Sequence, residues 1–305
     1  MPGTIVVPII GPRVDPDKVS EQAIPVARTL ADRSGGLVVL VSVMEFLPEF
    51  GDLPQAALDD PVIIAGRVDE RRNYLEALGA MFRLSATHTE VMQGDPADAI
   101  LSLLQTFDRP IVVMASHGRR RVKRMTLGSV TFDVVQRATG PVLVVPVSDD
   151  EAEALVPVAL DRVLIPLDRS PTAETAIDAA LFTLGDRPLT VRLVQIVPPL
   201  TQRSSQHAAR HYATAREVAL DYLGRIANPV VARGHDVSTA VAIGSTEDEI
   251  AREACEFRAE LIVMATRGRT GIGRMLLGSV AEGLTQVGHC PVLVINPEIA
   301  SLESL

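Results

Sequence analysis

The stretch MASHGRRRVKRMTLGSV, from Met114 to Val130, returns as MATRGRTGIGRMLLGSV from Met264 to Val280. Met, Ala, Gly, Arg, Arg, Met, Leu, Gly, Ser and Val recur in register at an offset of 150 residues, about half of the 305-residue chain. Self-similarity at this spacing indicates two copies of one folding unit. We predict domains at 1–152 and 153–305, joined by the linker SDDEAEALVPVAL with its boundary near Glu153.

Short runs rich in Val and Ile alternate with helical patterns in both halves. The strand candidates of the first half are Thr4–Ile10, Gly36–Met44, Thr87–Met92, Pro110–Ala115 and Pro141–Pro146. Those of the second half are Arg162–Leu167, Leu189–Val197, Asp236–Ala242, Glu260–Ala265 and Pro291–Ile295. This rhythm favours parallel strands with crossover helices. We therefore predict an α/β fold of two tandem doubly wound domains, each a five-stranded parallel sheet flanked by helices.

Several helix starts carry capping signals. Ser170 precedes Pro171, Asp95 precedes Pro96, and Thr246 stands three residues ahead of Glu249. Small polar side chains accept hydrogen bonds from the first helical N–H groups, and proline fits the first turn. These residues are predicted N-caps.

Composition excludes several classes of function. A net charge of −9 and 3% aromatic residues give neither a basic field for phosphate backbones nor platforms for stacking bases, so nucleic acid is not an expected partner. No apolar run approaches the roughly 20 residues that span a bilayer, and the N-terminus lacks a basic lead, so a cytoplasmic location is expected. Cys255 and Cys290 form no C-x-x-C and indicate no disulfide or metal site, and Cys255 is interpreted as a helix packing residue.

The repeated stretch begins where the fourth strand of each half is predicted to end. In the second half Gly278–Ser279 is predicted to open the next helix, with Ser279 as N-cap and Glu282 as its capping-box partner. A helix N-terminus favours an anion by roughly 0.3–2 kcal/mol, and a preceding glycine lets a phosphate approach the backbone. The alternative is a helix start with no ligand, which the recurrence of Gly118, Gly128 and Ser129 makes less favoured.

Here the sequence resembles the universal stress protein family, over nearly the whole chain as two tandem domains. The family signature G-x2-G-x9-G-[ST] appears as Ala115-x2-Gly118-x9-Gly128-Ser129 and again from Ala265, with alanine in place of the first glycine in both copies. Pro166 and Asp168 match the family's proline and aspartate at the end of the first strand. Both halves also end in a P-V-L-V strand.

The resemblance implies ATP or a related adenine nucleotide, clasped between the ends of the first and fourth strands. Asp168 would accept from the adenosine, Ile196 would line the base pocket, and Gly278, Ser279 and Val280 would hold the phosphates. The other implied residues of the second half are Pro166, Leu167, Met264, Ala265, Arg267, Gly268 and Arg269. Those of the first half are Pro8, Val43, Met114, Ala115, His117, Gly118, Arg119, Gly128, Ser129 and Val130. A nucleotide of this kind can carry Mg²⁺, although no motif indicates it, and no metal site is predicted.

The two copies differ at the end of the first strand. Aligning Pro8 with Pro166 places Ile10 opposite Asp168, so the first copy lacks the carboxylate. The following loop is five residues longer there, since 11 positions separate Ile10 from Glu21 and 6 separate Asp168 from Glu174. We expect the second domain to be the tight site and the first to be weak or empty. If Asp168 only interacts with a helix dipole, both sites would bind alike.

The resemblance and the motifs together predict a nucleotide-binding regulatory protein of the stress response with little or no turnover. His117 is the one plausible base near a phosphate, but its counterpart is Arg267, and Gly268-x4-Gly273 lacks the lysine of a P-loop. The alternatives are a slow ATPase or a self-phosphorylating enzyme that uses Ser129 or Ser279, and a nucleotide-free scaffold.

The last strands predict assembly. PVLVVPV and PVLVINP are short, apolar and β-branched, the kind of sheet edge that needs covering. Tandem family members commonly pair their two domains at this strand. We expect Val142–Val145 to pair with Val292–Ile295 as a pseudo-two-fold dimer within the chain, together with a further chain-to-chain homodimer.

Overall fold

The computed structural model describes residues 3–11, 18–45, 60–116, 128–147, 159–200, 205–265, 283 and 290–296. The chain divides into two compact units, Met1–Val158 (unit 1) and Ala159–Leu305 (unit 2). The boundary expected near Glu153 lies outside the described residues and stays a prediction.

Unit 1 contains one five-stranded parallel sheet. Its strands are β1 Thr4–Pro8, β2 Leu37–Met44, β3 Thr87–Gln93, β4 Ile111–Ala115 and β5 Val142–Val145. Its described helices are α1 Ile24–Ser34, which follows a 3-10 turn at Val19–Ala23, α2 Pro61–Met81, α3 Pro96–Leu104 and α4 Ser129–Arg137. The pairings give the strand order β3-β2-β1-β4-β5.

Unit 2 repeats this topology. Its strands are β6 Arg162–Pro166, β7 Thr190–Val197, β8 Asp236–Ile243, β9 Leu261–Ala265 and β10 Val292–Ile295. Its described helices are α5 Pro171–Leu184, α6 Ser205–Ala232 and α7 Thr246–Phe257. The order is β10-β9-β6-β7-β8, and every pair is parallel.

The core of each unit consists of the central strands, whose Val, Ile and Leu side chains are buried. In β1, Ile5, Val6 and Val7 are completely buried, and so are Val163 and Leu164 in β6. Helices cover both faces of a parallel sheet, so its strands are continuous apolar runs rather than alternating ones. All ten predicted strands are confirmed, with ends that differ by at most two residues.

Two of the three predicted N-caps that lie in the described residues are confirmed. Ser170 Oγ accepts from the Ala173 N–H at 3.1 Å, and Asp95 Oδ1 accepts from the Asp98 N–H at 3.0 Å. The prediction of Thr246 as an N-cap was wrong by one residue. The helix α7 begins at Thr246, and its N-cap is Ser245, whose side chain makes no capping hydrogen bond. The first helical hydrogen bond already runs to the Ser245 carbonyl, which makes Thr246 the first helical residue.

The predicted packing role of Cys255 is wrong. Cys255 is exposed on α7 rather than packed, whereas Cys290 is buried just before β10. Burial raises the pKa of the Cys290 thiol to about 12, which keeps it protonated. Among the helices in the described ranges, none combines the length and the apolar character needed to cross a bilayer.

Candidate functional site

The strand order of each unit reverses beside its first strand, between β1 and β4 and between β6 and β9. In open α/β sheets the crevice at such a reversal, beyond the carboxyl ends of the strands, is where ligands bind. The predicted site residues within the described ranges lie at the carboxyl ends of these strands and of their neighbours β2 and β7, apart from Gly128, Ser129 and Val130, which lie at the start of α4.

In unit 2 the end of β6 presents a fixed carboxylate. The Leu167 N–H donates to the Val194 carbonyl at 2.8 Å, which prolongs the ladder by one residue and leaves Asp168 exposed beyond it. Asp168 Oδ1 accepts from the Ser170 N–H at 2.9 Å and from its hydroxyl at 2.5 Å. Because Ser170 also caps α5, the carboxylate is anchored to a helix start. Among the described residues, no donor contacts Asp168 Oδ2.

The other predicted residues of unit 2 that the structure describes lie near the ends of β6 and of its two neighbouring strands. Pro166 lies opposite Val194 in the β6–β7 ladder, so Ile196, two residues further along β7, is level with Asp168. Met264 and Ala265 close β9 on the other side of β6, with Met264 buried and Ala265 partly exposed. Arg267, Gly268, Arg269, Gly278, Ser279 and Val280 lie outside the described residues.

The sequence patterns did not predict the contact made by Arg169, the residue that follows Asp168. Arg169 has φ +69°, a left-handed backbone that non-glycine residues seldom adopt. With the Gln195 amide oriented so that its oxygen faces the arginine, that oxygen accepts from Arg169 Nε at 3.0 Å and from Nη2 at 3.2 Å. Gln195 is only 4% exposed in the middle of β7. A glutamine inside the apolar run LVQIV was the available signal, because a buried amide requires partners.

In unit 1 the corresponding position has no carboxylate. The Ile9 N–H donates to the Val41 carbonyl at 2.7 Å, as Leu167 does to Val194, which confirms that Ile10 is the counterpart of Asp168. The Ile10 N–H donates to Ser20 Oγ at 3.0 Å, so the end of the first strand is tied to the 3-10 turn before α1.

The other predicted residues of unit 1 flank this strand end. Pro8 ends β1, Val43 lies on β2 level with Ile10, and Met114 and Ala115 end β4 and are buried. His117, Gly118 and Arg119 lie outside the described residues.

The helix start of the repeated stretch is described in unit 1. Gly128 is the N-cap of α4, so Ser129 is the first helical residue, and its side chain is exposed while that of Val130 is partly buried. The Gly128 N–H donates to the Ser116 carbonyl at 2.8 Å, and Thr131 Oγ1 donates to the Ala115 carbonyl at 3.0 Å. These bonds hold the start of α4 against the end of β4. Gly128 has no side chain to cap the helix, so the N–H groups of the first turn can donate to an external acceptor.

A tyrosine–carboxylate pair recurs in both units and was also missed. Tyr222 on α6 donates to Glu174 Oε1 at 2.8 Å, and Tyr74 on α2 donates to Glu21 Oε1. Burial, followed by the Glu174 hydrogen bond and charge, raises the pKa of Tyr222 well above its usual value. The signal available in the sequence was the dipeptide Tyr-Leu, which occurs in both long helices. In the structure its leucine, Leu75 in unit 1 and Leu223 in unit 2, is completely buried.

Two repeats of one topology, each with a switch point at its first strand, define a tandem doubly wound α/β protein. A sequence model of the universal stress protein family matches residues 3–146 and 159–296. The chain therefore belongs to the universal stress protein family.

Individual relatives agree with this assignment. A universal stress protein of Mycobacterium tuberculosis is 28% identical over 225 residues, which is 72% of each chain. One from Methanocaldococcus jannaschii is 46% identical over 63 residues, which is 21% of this chain and 37% of that protein. The crystal structure of a universal stress protein from Archaeoglobus fulgidus covers 97% of this chain and 98% of its own, with a TM-score of 0.65 at 18% identity. That structure shows a shared fold.

Proposed function

We propose that the chain is an adenine-nucleotide-binding regulatory protein of the stress response, with its tight site in unit 2 and little or no turnover. The observation that carries this proposal is Asp168, an exposed carboxylate at the switch point of unit 2 whose counterpart in unit 1 is Ile10.

The carboxylate suits the nucleoside part of the ligand. A carboxylate accepts hydrogen bonds from ribose hydroxyls and from an adenine amine, and it repels phosphate. With Oδ1 engaged by Ser170, Oδ2 is the atom that would accept from the nucleoside. Ile196, level with this carboxylate on the neighbouring strand, would offer an apolar contact to the base.

The phosphates would lie at the start of the helix that follows the fourth strand. The arrangement at Gly128 and Ser129 in unit 1 supports this, since unsatisfied N–H groups at a helix start favour anions. By repetition, Gly278, Ser279 and Val280 would hold the phosphate tail in unit 2, with Ala265, Arg267 and Gly268 along the ribose and phosphates. ATP is the proposed nucleotide, and no step of catalysis is assigned because His117 and Arg267 are not equivalent bases.

Titration calorimetry on nucleotide-stripped protein tests the proposal. The wild-type chain should show one tight binding event per chain. Asp168→Ala should weaken it about ten- to a hundred-fold, because a hydrogen bond to a charged group contributes about 1.5–3 kcal/mol. Asp168→Asn retains an acceptor for Ser170 but replaces the ligand acceptor with a donor, so a similar loss would assign the effect to the ligand rather than to the loop.

The control is Asp178→Ala, which removes an exposed aspartate of α5 that pairs with Arg233 at 2.8 Å. Its affinity should match the wild type. Two equal sites, both indifferent to the Asp168 substitutions, would refute the asymmetry. The small molecules that copurify discriminate among functions: bound ATP supports a binding protein, ADP with steady phosphate release an enzyme, and the absence of nucleotide a scaffold.

A further inference from the structure

Unit 1 contains a buried guanidinium at the end of its first strand. Arg71, on α2, is 8% exposed, and its Nη1 donates to Ser42 Oγ at 3.1 Å. Ser42 is completely buried in β2. A Cβ atom placed on Gly11 would overlap the Arg71 guanidinium, so this group lies directly against the backbone of the residue that follows Ile10.

The equivalent positions of unit 2 carry the reverse arrangement. The matching hydrogen bonds of Ile9 and Leu167 make Gly11 equivalent to Arg169. The matching Tyr–Glu pairs make Arg71, three residues before Tyr74, equivalent to Ala219, three residues before Tyr222. Unit 1 therefore has glycine on the loop and arginine on the helix, whereas unit 2 has arginine on the loop and alanine on the helix.

In both units the guanidinium contacts the same position of the second strand, which is Ser42 in one and Gln195 in the other. The two guanidinium groups differ in burial, because Arg71 is nearly inaccessible and Arg169 is exposed. Arg169 can rearrange beside a ligand while it stays hydrated. Moving Arg71 would require a buried charge to leave its buried hydroxyl partner.

The location of Arg71 is the nucleoside end of the proposed site. Its guanidinium lies against the backbone of Gly11, which directly follows Ile10, the counterpart of Asp168. A guanidinium has five N–H donors and no acceptor. The hydroxyl and amine donors of a nucleoside, which would meet an acceptor in unit 2, would meet another donor in unit 1.

We propose that Arg71 is a specificity-determining residue that, together with Ile10, closes unit 1 to the nucleoside. This inference rests on the proposed nucleotide site of unit 2. It predicts that restoring the carboxylate alone does not create a second site, since the guanidinium beside Gly11 would compete with a ligand for an aspartate at position 10.

The experiment uses the full chain with Asp168→Ala, so that ATP binding by unit 2 is weakened about ten- to a hundred-fold, and measures ATP binding by calorimetry. Adding Ile10→Asp should leave ATP binding weak. Adding Ile10→Asp together with Arg71→Ala should tighten it at least about tenfold over Ile10→Asp alone, with one ATP per chain. Arg71→Met, which refills the space without N–H donors, should also tighten binding if the alanine variant does not fold.

The matched control is Arg72→Ala in place of Arg71→Ala. Arg72 is the neighbouring arginine on α2, with a half-exposed side chain paired to Asp69 at 3.1 Å, and its loss should give no gain. The inference is overturned if Ile10→Asp alone binds as tightly as the variant that also lacks Arg71. It is equally overturned if neither Arg71 variant gains affinity while amide exchange shows unit 1 folded. A wild-type chain that binds no adenine nucleotide would instead overturn the proposed function.

Discussion

Replacing Phe257 with leucine tests how much two arginines stabilise unit 2. The Phe257 ring is 4% exposed at the end of α7, with Arg162 Cζ 4.5 Å and Arg192 Cζ 4.7 Å from its centroid. Both guanidinium groups are held in place, because Arg162 Nε donates to the Phe257 carbonyl at 3.0 Å and Arg192 lies 3.5 Å from the buried carboxylate of Glu253.

The expected loss follows from these contacts. A cation over an aromatic face contributes about 0.5–1 kcal/mol at an exposed position and about 2 when desolvated, and both arginines here are partly exposed. Two such contacts give about 1–2 kcal/mol. Leucine retains most of the apolar volume, so the change in size adds less than about 1.5 kcal/mol. Phe257→Leu should therefore cost about 2 kcal/mol, and Phe257→Ala about 3–5 kcal/mol or more.

Hydrogen exchange measured by mass spectrometry is the suitable assay, because a two-unit chain need not unfold in one step. Peptides from β6, β7 and α7 should lose protection, while those of unit 1 serve as the internal reference. Phe82→Leu is the control for size, since Phe82 is 9% exposed and no guanidinium of the described residues lies over its ring. If Phe257→Leu cost no more in its unit than Phe82→Leu does in unit 1, the guanidinium contacts would contribute nothing.

Four further predictions concern single groups and assembly. Tyr222→Phe and Tyr74→Phe should each lower local protection by about 1–3 kcal/mol, because each leaves a carboxylate without its hydroxyl donor, and unchanged exchange would contradict this. His235 Nδ1 accepts from the Leu189 N–H at 3.2 Å, and burial followed by Arg233 lowers its pKa below 6.5. As the pH falls, the unfolded state therefore binds the proton before the folded state does, and the stability of unit 2 should fall below about pH 6.5. His235→Gln should remove this dependence, and a dependence that persists in the variant would contradict the assignment. Steady ATP hydrolysis should stay well below about 1 per second, and hydrolysis near that rate that Ser279→Ala abolishes would favour an enzyme. Separately expressed halves should self-associate through their last strands in analytical ultracentrifugation, and halves that stay monomeric at high micromolar concentration would exclude the edge pairing.

Sequence patterns predict the sheet well because parallel strands carry their signal locally. Runs such as IVVM in β4 and VLVV in β5 are buried on both faces, so every residue in them is apolar. The position of Asp168 follows from the same reasoning, since one residue after the ladder ends is enough to bring a side chain to the switch point.

Contacts between elements are not predicted in this way. Arg71 and Ser42 are 29 residues apart, and their hydrogen bond depends on how α2 packs over β2. The guanidinium of Arg169 contacts Gln195 from a residue with a left-handed backbone, and a single arginine in the sequence does not predict that backbone conformation. The N-cap of α7 is Ser245 rather than the predicted Thr246, because both are competent capping residues and the chain geometry selects between them.

The exchange of arginine between loop and helix matters for anyone who redesigns this chain by averaging its two copies. A consensus that carried arginine from position 169 to position 11 while it kept Arg71 would force a side chain into occupied space and bring two positive charges together. A consensus that chose glycine and alanine would leave Ser42 or Gln195 buried without a guanidinium. Each copy is consistent only with itself, so positions 11 and 71 must be exchanged together or left alone.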